Sequence, residues 1–204
     1  MQAKKVFLSI ILLFITSQYI TTNSINSGNY QEEIYEVDST ILIPKWTSSR
    51  WSISKELFHY IRNQLPEGKV ILEMGSGWAS GQFSKFYTVY SIEHNKKWVK
   101  KYNTNYIYAP IVDRWYNPKI IEKKLPKEYD LILVDGPTGS IGRNGFYTYL
   151  HLFNTDVIII FDDVNVKENY DLMFNVSKKI KRKFKIYQGS FQRKFGVIEA
   201  KKQY

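Results

Sequence analysis

The sequence contains no cysteine. Disulfide bridges, cysteine-ligated zinc, iron–sulfur clusters and thiol nucleophiles are thereby excluded. The compartment stays open, because a disulfide-free protein is compatible with any redox setting. Acidic residues are also scarce. The 19 aspartates and glutamates face 29 lysines and arginines, a formal net charge of +10 over 204 residues. Such a surface attracts phosphates, acidic glycans or anionic membranes. Much of the excess lies in Lys178, Lys179, Lys181, Arg182, Lys183 and Lys185. That run reads first as a solvated helix end whose cations complement the helix dipole, and second as a surface for an acidic partner. No internal repeat is present, and no break splits the chain after residue 50. The length suits one α/β domain with a short N-terminal appendage.

A full-length spanning run is absent too. Met1 to Lys5 is short and basic, and Val6 to Ile20 is mainly apolar, the order of a secretory signal. A spanning helix needs roughly 20 apolar residues, and no small-x-small cleavage site follows. Residues 1–24 are therefore expected to be a signal peptide or signal anchor, 25–45 a linker or stalk, and 46–204 the folded domain. Lys4 and Lys5 staying cytoplasmic puts that domain on the far side of a membrane. The expected location is membrane-anchored or lumenal in the secretory pathway, or outside the cell if the signal is cleaved.

What is present is a regular alternation of helical and strand patterns. Apolar residues at Ile53, Leu57, Phe58, Ile61 and Leu65 follow a helical period that ends at Pro66 and Gly68. Short apolar runs then mark strands at 69–73, 89–93, 105–111, 129–135 and 156–161, with helices expected between them, including 95–102 and 146–153. A helix over 166–180 leads to a final hairpin near 184–187 and 195–200. Continuous apolar strands alternating with helices predict a parallel sheet covered on both faces. The expected fold is a Rossmann-like three-layer α/β/α sandwich, with a mostly parallel seven-stranded sheet and one antiparallel edge strand.

In such sheets ligands bind beyond the carboxyl ends of the strands, where strand order switches. The chemistry-bearing residues gather there. Glu73-Met74-Gly75-Ser76-Gly77 ends the first long strand, Glu93 the next, Asp135 the fourth, and Asp162-Asp163 the fifth. Glycines let the backbone turn sharply and lie against a ligand. An acid ending the second strand is able to accept hydrogen bonds from two ribose hydroxyls. Three carboxylates converging on one edge suit Mg²⁺ or a similar hard divalent cation. The competing reading is that Asp135 and Asp163 cap helices or neutralise a cationic ligand.

Glu73-x-Gly75-x-Gly77, then Glu93, then Asp135 resembles class I S-adenosylmethionine (SAM)-dependent methyltransferases over about residues 68–200. The third glycine, Gly81, falls one place late for a dinucleotide fingerprint, and an acid precedes the first. The resemblance implies that Glu73, Gly75, Ser76 and Gly77 surround the methionine end of SAM and that Glu93 holds the ribose. His94 and Asp135 join the cofactor set, with Trp78 and Ala109 as flanking candidates. Val134-Asp135-Gly136-Pro137 followed by Gly142-Arg143 is similar to plant glucuronoxylan O-methyltransferases, which sit behind a short anchor in the Golgi, and to uncharacterised bacterial methyltransferases. The Asn/Asp-Pro-Pro-Tyr signature of amino-methylating nucleic-acid enzymes is missing. Asp135, Asp162 and Asp163 resemble the ligand set of metal-dependent catechol-type O-methyltransferases, with Asp135 and Asp163 as catalytic candidates.

The expected activity is O-methylation of a glycan or small hydroxylated acceptor. Arg143 is a candidate to grip a substrate carboxylate. Trp115 and Tyr116 either stack on a sugar ring or belong to the core. His59 and His151 read as structural, and the Asn175-Val176-Ser177 sequon as fortuitous inside a helix. The alternatives are a non-catalytic tethered Rossmann binding module, a nucleic-acid methyltransferase favoured by the charge alone, and polyamine synthesis, which the basic balance disfavours.

Overall fold

A computed structural model describes residues 33–37 and 52–202. The first helix, α1 (Lys55–Gln64), is capped by Ser54, whose hydroxyl accepts a hydrogen bond from the Leu57 amide, and buries Leu57, Phe58 and Ile61. β2 (Val70–Met74) follows, then α2 (Trp78–Phe83) and β3 (Thr88–Glu93). A two-residue strand, β1 (Ile34–Tyr35), precedes them all. After β3 come β4 (Asn105–Tyr108), a small hairpin of β5 (Ile111–Val112) and β6 (Trp115–Tyr116), and α3 (Pro118–Lys124). The second half runs β7 (Leu131–Val134), α4 (Gly145–Thr148), β8 (Ile158–Phe161), α5 (Lys167–Ile180), β9 (Phe184–Gln188) and β10 (Lys194–Ile198).

The main sheet has the order β1-β9-β10-β8-β7-β2-β3-β4. Side chains alternate between its faces, as the pleat requires. Leu72, Met74, Ile132, Val134, Ile159 and Phe161 pack with Leu172, Met173 and Val176 of α5. Ile71, Leu131, Leu133 and Ile160 pack on the other face with Leu57 and Ile61 of α1 and Phe83 of α2. Three layers result, as the periodicity predicts.

Several details correct the sequence-based expectation. The sheet has eight strands, because Ile34–Tyr35, inside the stretch read as a linker, pairs in parallel with Ile186–Tyr187. The antiparallel strand is not at the edge. β10 lies between β8 and β9, with Gly196 opposite Phe161 on one side and Ile186 on the other. The physical reason is burial. Phe195, Val197 and Ile198 are all buried, whereas β9 is mostly half-exposed, so the more apolar strand takes the inner position.

Residues 95–102 form turns and bends rather than a helix. The Asn95 side chain accepts from the Lys97 amide and its carbonyl from Trp98, which curls the chain locally. The third parallel strand stops at Tyr108, and Ile111 pairs with Tyr116 in the separate hairpin. The helix expected over 146–153 is a single α-turn followed by a 3-10 turn. Among the described residues no helix is long and apolar enough to cross a membrane. That finding corrects the expected membrane or secretory-pathway location. The segment 1–24 itself lies outside the described residues.

Candidate functional site

A cleft of about 240 Å³ opens at the carboxyl ends of the parallel strands, lined by Gly75, Glu93, Asp135, Gly136, Arg143 and Arg193 among others. The loop after β2 and the end of β3 form one wall. Glu93 is 3% exposed. Its Oε2 accepts from the Ser76 amide and hydroxyl, both at 3.0 Å, and its Oε1 from the Asn95 amide at 2.7 Å. His94 Nδ1 lies 3.3 Å from the same Oε1. The carboxylate is therefore fixed in place by the two loops that flank it.

The floor is made of glycine. Gly75 adopts φ +85°, a conformation that disfavours side chains. A Cβ on Gly136 would stand 2.9 Å from Gly75 N and Met74 O and would collide with the Tyr116 hydroxyl. The ends of β2 and β7 touch because neither residue carries a side chain. Gly77 and Glu73 stand behind this floor rather than in the lining. Gly77 precedes α2 and donates to Ser80 Oγ at 2.9 Å.

Glu73 is buried, 3% exposed, and accepts from the Ser91 hydroxyl at 2.5 Å. Burial pushes its carboxyl up to about 7 from 4.5. The folded state holds the proton more tightly than the unfolded chain, so stability is expected to fall as pH rises from about 4.5 to about 7. Glu73→Gln, which keeps the acceptor for Ser91 and cannot ionise, is expected to remove that part of the slope. The variant should be more stable than the parent at pH 8 by about 2 kcal/mol. Urea unfolding at pH 5 and pH 8 checks this, and a parent slope retained in the variant contradicts it.

The opposite wall holds the three aspartates. Asp135 follows β7, and Asp162 and Asp163 follow β8, the last with φ +58°. One carboxylate oxygen of each lies within 4.8 Å of the others. Two arginines thread this cluster. Arg143 Nη2 lies 3.2 Å from Asp135 Oδ1 and 3.2 Å from Asp163 Oδ2, and its Nη1 donates to the Asp162 carbonyl at 2.7 Å. Arg193 Nη2 lies 2.7 Å from Asp162 Oδ2, and its Nε donates to Asp163 Oδ1 at 3.0 Å. Burial raises the Asp135 carboxyl to about 6 against the opposing pull of Arg143, and pushes Asp162 well above the usual range.

Most of the residues singled out from the sequence thus meet in one cleft, with two exceptions in role. Arg143 is only 8% exposed and spends its terminal nitrogens on the chain's own oxygens, so it is not free to grip a substrate carboxylate. Trp115 is 1% exposed and packs its ring on Gly145, which removes it as a sugar platform. Tyr116 is buried as well, although it contributes to the cleft lining, and its hydroxyl has no hydrogen-bond partner among the described residues. Ala109 is fully buried, and His59 is buried inside α1. Arg193 is the residue that the sequence reading missed. The pairing of Gly196 with Phe161 sets residue 193 beside the end of β8, so the register of the final hairpin is the signal that locates it.

No protein-family model matches the chain, and no curated protein matches it. Solved structures do. An rRNA methylase from Streptococcus thermophilus superposes with TM-score 0.52 at 9% identity, covering 76% of this chain and 100% of that one. The chain has the class I methyltransferase fold. Its sheet is mostly parallel, with the reversed β10 inserted between β8 and β9. A methyltransferase from Pyrococcus furiosus (TM-score 0.49, 14% identity, 72% and 81% covered) and a putative caffeoyl-CoA O-methyltransferase from Staphylococcus aureus (0.47, 17%, 71% and 81%) are also similar. In a class I methyltransferase fold the cleft described above lies on the ligand edge of the sheet. The narrower likeness to glucuronoxylan O-methyltransferases is not carried by these similarities.

Proposed function

We propose that this chain transfers a methyl group from SAM to an oxygen of a small hydroxylated acceptor or a glycan. The observation that carries the reading is the pairing of Glu93 with the bare Gly75–Gly136 floor at one end of a cleft and Asp135 in its wall. The residues fit the cofactor. Glu93 offers a fixed carboxylate for a ribose diol, with Ser76 and His94 beside it. The two glycines let the ends of β2 and β7 meet beneath the cleft, which keeps its floor flat. Glu73 and Gly77 support that floor from behind. The Tyr116 hydroxyl lies against Gly136 as a buried group with no hydrogen-bond partner among the described residues.

When bound, SAM supplies an electrophilic methyl group on a sulfonium. The chain's own contribution is positioning and proton handling. Methyl transfer needs an in-line approach, and fixing the acceptor in that geometry lowers the barrier. An alcohol is a poor nucleophile until its proton leaves, and Asp135 is the group that takes it. Its Oδ1 is held by Arg143, and its Oδ2 receives no hydrogen bond from the described residues. A carboxyl raised to about 6 is a better base near neutral pH than an ordinary aspartate. Asp163, clamped by both arginines, holds the wall together. The methyltransferase unit spans residues 46–204, with β1 added at its sheet edge.

Calorimetric titration of the full chain with SAM and with S-adenosylhomocysteine tests the reading. Binding in the micromolar range is expected for both. Absence of binding for both overturns the methyltransferase reading.

A further inference from the structure

The spacing of Asp135, Asp162 and Asp163 suits a divalent cation, and such a cation takes six or more oxygen ligands in this kind of setting. The space between the carboxylates is occupied by other charges. Asp163 gives one oxygen to Arg143 and the other to Arg193. Asp162 gives Oδ2 to Arg193 at 2.7 Å, and Asp135 gives Oδ1 to Arg143 at 3.2 Å. A cation entering the cluster would lose these oxygens to guanidinium groups and meet two positive charges at contact range. The residues present do not fit a resident divalent metal.

Neither arginine is free to swing aside. Arg193 also donates to the Ser52 carbonyl, and its own carbonyl accepts from the Gly189 amide at 2.8 Å. The turn that carries it is tied down by Ser190, whose amide and hydroxyl reach Glu56 Oε2 at 2.8 and 2.9 Å. Arg143 is anchored on the Asp162 carbonyl at 2.7 Å. Each guanidinium is planar and forked, which suits bridging two carboxylates at fixed angles.

We propose that Arg143 and Arg193 stand in the place of a divalent cation, and that Arg193 is the positioning residue that keeps the carboxylate cluster closed to metal. The inference rests on the carboxylate–arginine geometry and is independent of whether the chain transfers methyl groups. It separates this site from the metal-dependent catechol-type arrangement that its three aspartates resemble in sequence. It also gives the final hairpin a function, since the turn before β10 delivers the second cation.

The test is titration of the full chain with Mn²⁺, following the free-ion signal by electron paramagnetic resonance. The parent protein is expected to leave the signal unchanged at submillimolar Mn²⁺. Arg193→Met is expected to gain a site at least tenfold tighter, which Arg193→Met/Asp163→Asn loses. Arg193→Lys, which retains the positive charge, is expected to stay closed. Arg193→Gln, which keeps a donor for the Ser52 carbonyl, carries the same expectation as Arg193→Met and serves if that variant does not fold. Tight Mn²⁺ binding by the parent that Asp163→Asn abolishes overturns the proposal. A folded Arg193→Met or Arg193→Gln that binds no better than the parent overturns it as well.

Discussion

Glu93→Ala is expected to weaken SAM binding by about 100-fold without unfolding the protein. Two ribose hydroxyls donating to one carboxylate are charge-assisted hydrogen bonds, worth roughly 1.5–3 kcal/mol each. Part of that is offset here, because Glu93 is already engaged by Ser76 and Asn95. The two backbone amides have no reason to leave, but the Ser76 hydroxyl competes with the ribose for Oε2. A net loss of about 3 kcal/mol corresponds to roughly 100-fold in affinity. The same geometry predicts that Ser76→Ala changes affinity by less than about threefold, since the amide at 3.0 Å remains and only the competitor is removed. Calorimetry on both variants, with thermal melts as the folding control, checks the pair. A folded Glu93→Ala that binds SAM within threefold of the parent would remove the ribose role from this residue.

Sequence pattern alone was sufficient wherever burial is two-sided. The runs around Ile71, Leu133 and Ile160 are apolar at consecutive positions because both sheet faces are covered. Their order of appearance, with helices between, dictates a parallel sheet. The pattern was weaker where local and tertiary forces separate. Residues 95–102 carry a helical spacing of apolar groups, but the Asn95 side chain captures the Lys97 amide and diverts the chain into turns. The inner position of β10 follows from its being more apolar than β9, a comparison between two strands rather than a property of either. The pairing of Ile34 with Ile186 spans most of the chain, and a two-residue strand has no period to read.

The candidate site divides along the same line. Glu93, Gly75 and Asp135 were legible because position at a strand end determines where each points. Trp115 and Tyr116 were not resolved into core and lining, since adjacent residues in a hairpin face opposite sides and the sequence does not say which side is wet. Arg143 was legible as a cation near the site, but not as one already spent on Asp135 and Asp163. A carboxylate triad reads as metal ligands when its counter-ions are distant in sequence. Arg193 lies 30 residues from Asp163, and only the hairpin register brings them together.

Asp135→Asn is expected to lower methyl transfer by about 1000-fold while leaving SAM affinity within a few fold. Removal of a positioned general base costs roughly 100- to 10,000-fold. Asparagine keeps an oxygen for Arg143 and nearly the same shape, so the wall is preserved while the proton acceptor is lost. The pH dependence gives the sharper test. Burial raises this carboxyl to about 6, above the ordinary 3.8. Transfer requires the ionised form, so kcat/KM in the parent should rise about tenfold per pH unit below 6 and level off above it. The variant should show neither the rise nor the plateau. A panel of simple glycosides and catechols, read by S-adenosylhomocysteine release, supplies the rates. Carbon-detected nuclear magnetic resonance of labelled aspartate reads the same titration without an acceptor. An unchanged profile in Asp135→Asn would transfer the base to another group. A resonance of Asp135 titrating near 3.8 would show that Arg143 outweighs burial, and the carboxylate would then be too weak a base for the role.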